Sequence, residues 1–250
     1  SDIVNVRIQE DEAEFLRSLI LIPFTYPDKP GKIRSILITD GILKVAWKIG
    51  MEGILDPRMV DSGLVWGKEG QSGIAVCASQ QALSMGRVII CYDSSNAFPT
   101  ISRLMILAAA ESERCYLKCI KLINMMYTKR CTARWYVFNG EVDFHEFYFT
   151  DGTMQGCVSG PMCYALGTVE LNRRFPHRLV QVADDINDIG ETALDDAEKI
   201  VAAFKEIGQK IDGPKMKVIL PAGKTKEDYP QLARPVFQNA PIVTGPVEIV

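Results

Sequence analysis

The chain has 250 residues, 47% hydrophobic and 24% charged, with a net charge of −3. That content supports a real core in one large or two small domains, and it excludes a disordered or low-complexity chain. No window reaches the roughly 18 unbroken apolar residues of a membrane span, and there is no basic-then-apolar leader, so no membrane partner is expected.

From the N-terminus, 11–22 has helical spacing, with Phe15, Leu16, Leu19 and Ile20 on one face. Pro23, Pro27 and Pro30 mark a turn-rich passage before a strand over 33–38 and a helix over 43–54. Glycines 63, 67, 70 and 73 punctuate a loop ahead of a helix over 74–85. An apolar strand over 88–92 runs into Asp93, and helical patterns cover 101–112 and 114–127. Asn139-Gly140 between strand-like runs predicts a hairpin with a type I′ turn. A strand over 147–150 leads into Asp151-Gly152, followed by a helix over 158–171. Residues 179–189 read as a second hairpin with Asp184-Asp185 at its tip, then a helix over 194–207 and a strand over 216–220. A proline-rich tail closes the chain.

The two acids at that tip draw attention because clustered carboxylates repel unless cations neutralise them. An oxygen-only cluster with room for water and phosphate suits Mg²⁺. By itself an Asp-Asp pair is better explained by an ordinary turn. Asp93 ends a second apolar strand, and two such strands side by side would gather three acids at one sheet edge. That is the layout for two metals about 3.5–4 Å apart in phosphoryl transfer.

Basic residues cluster in two places. Arg114, Lys118, Lys121, Lys129, Arg130 and Arg134 fall in a stretch without an acid, and Lys210, Lys215, Lys217, Lys224 and Lys226 form a second. Both could flank the acids and contact nucleic-acid phosphates, or both could be solvated faces. Seven cysteines form no CxxC pair and no disulfide ladder, and Cys115-x-x-x-Cys119 has the spacing of a helix core. His145 and His177 are too isolated for a zinc site. Free thiols point to a reducing, intracellular compartment, nuclear or cytoplasmic.

Four motifs, in order and spacing, resemble the reverse-transcriptase palm, most closely that of non-LTR (LINE-type) retrotransposons. They are Asp93-Ser-Ser-Asn-Ala-Phe-Pro-Thr-Ile-Ser-Arg103, Gly152-Thr-Met-Gln-Gly-Cys-Val-Ser-Gly-Pro161, Ala183-Asp-Asp185 and Gly208-Gln-Lys-Ile-Asp-Gly-Pro-Lys215. Upstream, Lys32-Ile-Arg-Ser-Ile36 is similar to the family's fingers motif and Asp61-Ser-Gly-Leu-Val-Trp-Gly67 to its glycine-containing stretch. The resemblance implies an α+β fold with a right-hand polymerase palm, an antiparallel sheet packed on helices. It implies fingers over 1–86 and palm over 87–250, with 113–150 as an insertion belonging to either.

What the resemblance implies for chemistry is an RNA-directed DNA polymerase, with RNA or DNA template–primer and dNTPs as partners. Two Mg²⁺ ions, or Mn²⁺ in their place, would be held by Asp93, Asp184, Asp185 and the Ser94 carbonyl. Lys215 matches a lysine that protonates pyrophosphate, and Phe98 a ring that excludes a 2′-hydroxyl, unless it only packs the helix start. Gln155 and Gly156 would face the nascent pair, and Lys32 and Arg34 the triphosphate. Asn239-Ala-Pro-Ile242 resembles the turn of the primer grip without its usual Leu-Gly.

Departures are Ser35 for proline, Cys157 for the common Asp, and Asp212 for Asn. With Ser at position 1 and no thumb in its length, the chain reads as a fragment whose thumb lies in further domains or a partner chain. A domesticated, non-catalytic module acting as a nucleic-acid or assembly scaffold is the competing expectation.

Overall fold

The computed structural model describes residues 7–52, 64–65, 71–112, 119–138 and 140–244. The chain forms two compact units, one from residues 1–55 and 98–167, the other from 56–97 and 168–250.

The first unit is built on a four-stranded sheet. Helix α1 (Glu10–Leu16) ends early, and strand β1 (Ser18–Tyr26) takes over where the sequence spacing predicted helix to residue 22. Leu19 and Leu21 are buried while Ile20 and Ile22 face solvent, the period of two that a strand imposes. β1 pairs antiparallel with β2 (Lys29–Ile38) and parallel with β5 (Cys131–Phe138), which pairs antiparallel with β6 (Val142–Phe149). The order is β2-β1-β5-β6. Phe138 pairs with Val142, so three residues connect β5 and β6 and the two-residue I′ turn is not formed; Asn139 itself lies outside the described residues.

The same unit holds α2 (Gly41–Met51), α5 (Arg103–Ser112), α6 (Ile120–Tyr127) and the first part of α7 (Gly160–Arg174). Trp47, Leu43, Ile101, Ile106, Leu122 and Tyr164 are fully buried in its core. Arg17 and Arg103 are buried too, and both are hydrogen-bonded, although Arg17 Nε finds no partner among the described residues. Arg17 donates to the Met125 carbonyl at 3.2 Å and pairs with Glu10 at 2.6 Å. Arg103 donates to the carbonyls of Gly152 at 3.0 Å and Lys129 at 2.9 Å.

The second unit carries a six-stranded sheet of order β10-β9-β4-β8-β7-β3. Its strands are β3 (Leu64–Val65), β4 (Ile89–Tyr92), β7 (Leu179–Val182), β8 (Asp185–Asp188), β9 (Lys217–Leu220) and β10 (Ile242–Thr244). The four middle strands pair antiparallel, as expected, but β3 joins β7 and β10 joins β9 in parallel. Both sheets are therefore mixed, which corrects the antiparallel expectation. Strands brought in parallel need long crossovers, which short strand patterns cannot announce.

Alternate residues of β4 face two different cores. Ile89 and Ile219 pack with Ala82 of α3 (Gln71–Ser84), and Cys91 joins them. On the other face Tyr92 stacks on Phe204 of α8 (Ala193–Glu206), ring centroids 5.5 Å apart. A short helix, α4 (Ala97–Thr100), makes eight α-helices among the described residues. No helix of the described residues is long and apolar enough to cross a membrane.

Candidate active site

In the second unit the β7–β8 hairpin turns at Ala183-Asp184, since Val182 pairs with Asp185. Ala183 has φ +53°, the left-handed region that such a tight turn demands of its first central residue. Its strain is braced by Gln181, whose amide donates to the Ala183 carbonyl at 2.8 Å. Gln181 is buried and accepts in turn from Thr168 at 2.9 Å and Asn172 at 3.1 Å. The turn that presents the acids is thus held by a buried polar network.

Tyr92 of β4 pairs with Ile186 of β8. One further step of that register sets Asp93 opposite Asp185, and opposed residues of antiparallel strands have Cα atoms about 4.5–5.5 Å apart. The electrostatics agree with this neighbourhood. Partial burial of the carboxyl, then the charges of Asp184 and Asp93, push Asp185 up to about 6, although the residue as a whole is exposed.

The motif ending in Lys215 comes to the same place. The Asp212 N–H donates to the Asp93 carbonyl at 3.0 Å, Ser95 N–H to the Lys210 carbonyl at 2.8 Å, and Ser94 bridges Ile211. Lys215 Nζ lies 2.9 Å from Asp212 Oδ2 and 3.9 Å from Asp93 Oδ1. The Asp212 hydrogen bond, aided by the charge of Asp93, holds the Lys215 ammonium above its ordinary range. Asp212, a departure from the motif, is therefore what positions the lysine.

Oxygen donors and like-charge pressure on Asp185 fit a hard divalent cation in chemical type. Among the described residues, however, no group of three or more His, Cys, Asp or Glu is gathered closely enough to hold a metal ion. Asp93, Asp184 and Asp185 would be the residues to hold one, with the Ser94 carbonyl beside them.

The other end of the hairpin was not foreseen. Asp188, fully buried, receives Arg178 through two nitrogens, at 3.0 and 2.6 Å, and the Gly190 N–H at 2.9 Å. Arg178 also reaches Asp196 of α8 at 2.7 Å. Burial drives the Asp188 carboxyl up, and Arg178 and Gly190 pull it part of the way back.

The remaining expected residues lie in the first unit. Phe98 stacks on Tyr164 with centroids 5.0 Å apart, so its ring has a packing role whatever else it does. The Gln155 carbonyl accepts from the Leu37 N–H of β2 at 2.7 Å. Gly156, at φ +103°, sits so close to β2 that a Cβ would meet Ile36 Cγ2 and the Leu37 carbonyl at 2.9 Å each. Gly152 has less room still, since a Cβ there would fall 2.2 Å from the Pro99 carbonyl oxygen. Its N–H bonds the Ile101 carbonyl at 2.9 Å, and Thr153 N–H the Phe98 carbonyl at 2.7 Å. These glycines fasten the loop before α7 to its own unit.

Arg34 is exposed on β2 with its guanidinium over the Tyr26 ring, 5.4 Å from the centroid. The Lys32 side chain, Arg114, Lys118 and most of the 61–67 motif lie outside the described residues. Lys121 is exposed. Lys129 pairs with Glu10 at 2.8 Å and Arg134 with Glu146 at 3.1 Å, while Arg130 lies over the Tyr148 ring at 4.7 Å. The basic stretch has acidic partners from elsewhere in the chain, which a window free of acids concealed.

The fold is similar to that of two solved telomerase structures. Apo telomerase from Candida tropicalis, truncated from the C-terminal domain, matches with a TM-score of 0.58 over 84% of this chain and 51% of that one, at 11% identity. Telomerase from Candida albicans in complex with a TWJ fragment of telomeric RNA matches with a TM-score of 0.54 over 80% of this chain and 42% of that one, at 10% identity. The chain carries a reverse-transcriptase-like domain. In sequence it is similar to the retrotransposable element SLACS 132 kDa protein of Trypanosoma brucei gambiense, 25% identical over 175 residues, 70% of this chain. It spans only 14% of that protein's length and about half or less of the telomerase chains. No family model matches the sequence.

Proposed function

We propose that this chain is the catalytic core of an RNA-directed DNA polymerase that adds dNMP to a primer 3′-hydroxyl. The observation that carries this reading is the Asp184-Asp185 turn beside Asp93, with Asp185 raised by partial burial and by its acidic neighbours and Lys215 held close by. A bare structural turn has no use for mutually repelling acids kept together by a buried network. A pair of divalent cations, when bound, supplies the charge that acidifies the attacking hydroxyl and stabilises the leaving group.

In this reading Asp93 and Asp184 hold the cations, with Asp185 and the Ser94 carbonyl in support. Lys215 Nζ, kept protonated by Asp212, donates its proton to the departing pyrophosphate. Phe98 rejects ribonucleotides by the bulk of its ring. Gln155 and Gly156 orient the nascent pair, Lys32 and Arg34 bind the triphosphate, and Lys121, Lys129, Arg130 and Arg134, with Arg114 and Lys118, contact template–primer phosphates. Fingers would then correspond to 1–86 and palm to 87–250.

Primer extension on RNA and DNA templates with Mg²⁺ tests the reading. Incorporation is expected, with loss of about 10²-fold or more in Lys215→Met, the usual scale for a general acid. Phe98→Val should raise the ratio of rNTP to dNTP incorporation. Template–primer that binds but is never extended, with Mg²⁺ or Mn²⁺, would favour the scaffold instead. The specific observation on that side is that no three ligating side chains are gathered among the described residues.

A further inference from the structure

Ala183 stands at the first central position of a two-residue hairpin turn with φ +53°, where glycine is favoured. Alanine holds that conformation only at a cost, so the turn needs support from outside itself. Gln181 supplies it, since its Nε2 donates to the Ala183 carbonyl at 2.8 Å. That carbonyl belongs to the peptide bond leading into Asp184. The amide therefore sets the plane from which the first acid of the pair departs.

Gln181 is itself fixed at both ends. Its backbone is paired on two sides, with Leu64 of β3 and with Ile186 of β8. Its side chain is sealed from water, as are Thr168 and Asn172, which lie four apart on one face of α7. Thr168 Oγ1 donates to Gln181 Oε1 at 2.9 Å and Asn172 Nδ2 at 3.1 Å. With two donors on Oε1, the amide keeps one orientation, the one that aims its N–H at Ala183. Asn172 Nδ2 also donates to the Thr168 carbonyl at 3.1 Å, while Asn172 Oδ1 is buried with no partner among the described residues. A network serving stability alone has no reason to leave a buried acceptor unpaired, because that costs free energy. This one forgoes that bond and keeps the glutamine aimed at the turn.

We propose that Gln181 is a positioning residue for the acid turn, oriented by Thr168 and Asn172, which through the Ala183 carbonyl holds Asp184 and Asp185 ready for a divalent cation. The choice of a cation rests on the polymerase reading above. Gln181 touches neither cation nor substrate and acts only through the turn. Removing an outer hydrogen-bond partner of this kind changes metal affinity or activity by about 10- to 100-fold. Gln181→Glu is the closest variant in shape, and it turns an acceptor toward the carbonyl in place of the donor.

The test is Mn²⁺ binding to the whole chain without nucleotide, read from the paramagnetic resonance of the free ion. Primer extension over a Mg²⁺ titration and metal-free melts accompany it. Gln181→Met, which keeps length and loses the amide, should weaken Mn²⁺ binding by about 10-fold or more. It should raise the Mg²⁺ needed for half-maximal extension by a similar factor and leave KM for dNTP near the native value. Gln181→Glu should weaken Mn²⁺ binding at least as much. Thr168→Val should act in the same direction by less, and Thr168→Ser, which keeps the hydroxyl, should behave as the native chain. That pair carries the comparison if the variants at 181 do not fold. Gln231→Met, at a partly exposed glutamine of the same unit, should do nothing. Lower melts with native Mn²⁺ affinity would overturn the proposal, since the network would then only stabilise. A native chain that binds Mn²⁺ but never extends would fail as a polymerase, and weaker Mn²⁺ binding by Gln181→Met would still uphold the positioning role. A native chain that extends while Gln181→Met binds Mn²⁺ equally well would sink the positioning role alone. No Mn²⁺ binding by the native chain would overturn both.

Discussion

The two ends of the β7–β8 hairpin carry three aspartates within five residues and treat them in opposite ways. At its base Asp188 is sealed from water, and Arg178 answers it with a two-nitrogen grip shared with Asp196. At the tip Asp185 has no such partner among the described residues and is driven up to about 6 by partial burial and by Asp184 and Asp93. A charge that only stabilises can be compensated within the fold, as at the base. Acids left pressing on one another are better suited to recruit a cation from solution, and under the proposed function that contrast would separate a structural acid from a working one.

The sharpest way to break the comparison is to exchange the consequences of losing each acid. Asp184→Asn should cut nucleotide incorporation by about 10³-fold or more, since groups acting as a unit fail together, while thermal stability holds or rises. Asp188→Asn should lower stability and leave the chemistry largely in place. Primer extension and thermal melts on both variants read the difference. Similar losses of activity in the two would mean that the ends are not separate devices.

Next in size is Arg178→Ala. Removing one partner of a buried pair costs about 3–5 kcal/mol, because the other charge is stranded, and for a chain of this length that lowers the melting temperature by on the order of 10 °C. Arg178→Ala combined with Asp188→Asn should recover part of the loss, and Arg178→Lys should recover less than a fork-for-fork match would, since an ammonium offers no planar pair of donors. A melt unchanged by Arg178→Ala would show that water reaches Asp188 after all.

Which of these features could be read beforehand follows from how local they are. The acid pair, the strand into Asp93, the β5–β6 hairpin and the helix over 193–206 announce themselves through short-range period and turn chemistry, and all are present. Residues 18–22 were misread as helix because Phe15, Leu16, Leu19 and Ile20 satisfy helical spacing while Leu19 and Leu21 equally satisfy alternation. Only pairing with β2 and β5 decides between them. Arg178 gave no signal at all, since its partners Asp188 and Asp196 are joined to it only by the hairpin folding onto α8. Gly152 was visible as part of a motif, but the closeness of Pro99 that makes it necessary was not.

The smallest effect tests the tip most directly, through pH. A carboxyl near 6 in the folded chain, against an ordinary value of 3.8, binds its proton more tightly when folded. Between about pH 4 and pH 6 the folded state therefore holds more proton than the unfolded one, and stability falls as pH rises through that window. Above it the whole penalty is present; below it there is none. Asp185→Asn removes the group, so the variant should match the native chain near pH 4 and exceed it near pH 7.5. Because solvent screens this partly exposed site, the gain should be on the order of one or two degrees. Mg²⁺ binding only to the folded native chain would close that gap by mass action, whereas a cation that ignores the tip would leave it open. A gap already full at pH 4 would show that the repulsion lies elsewhere than at Asp185.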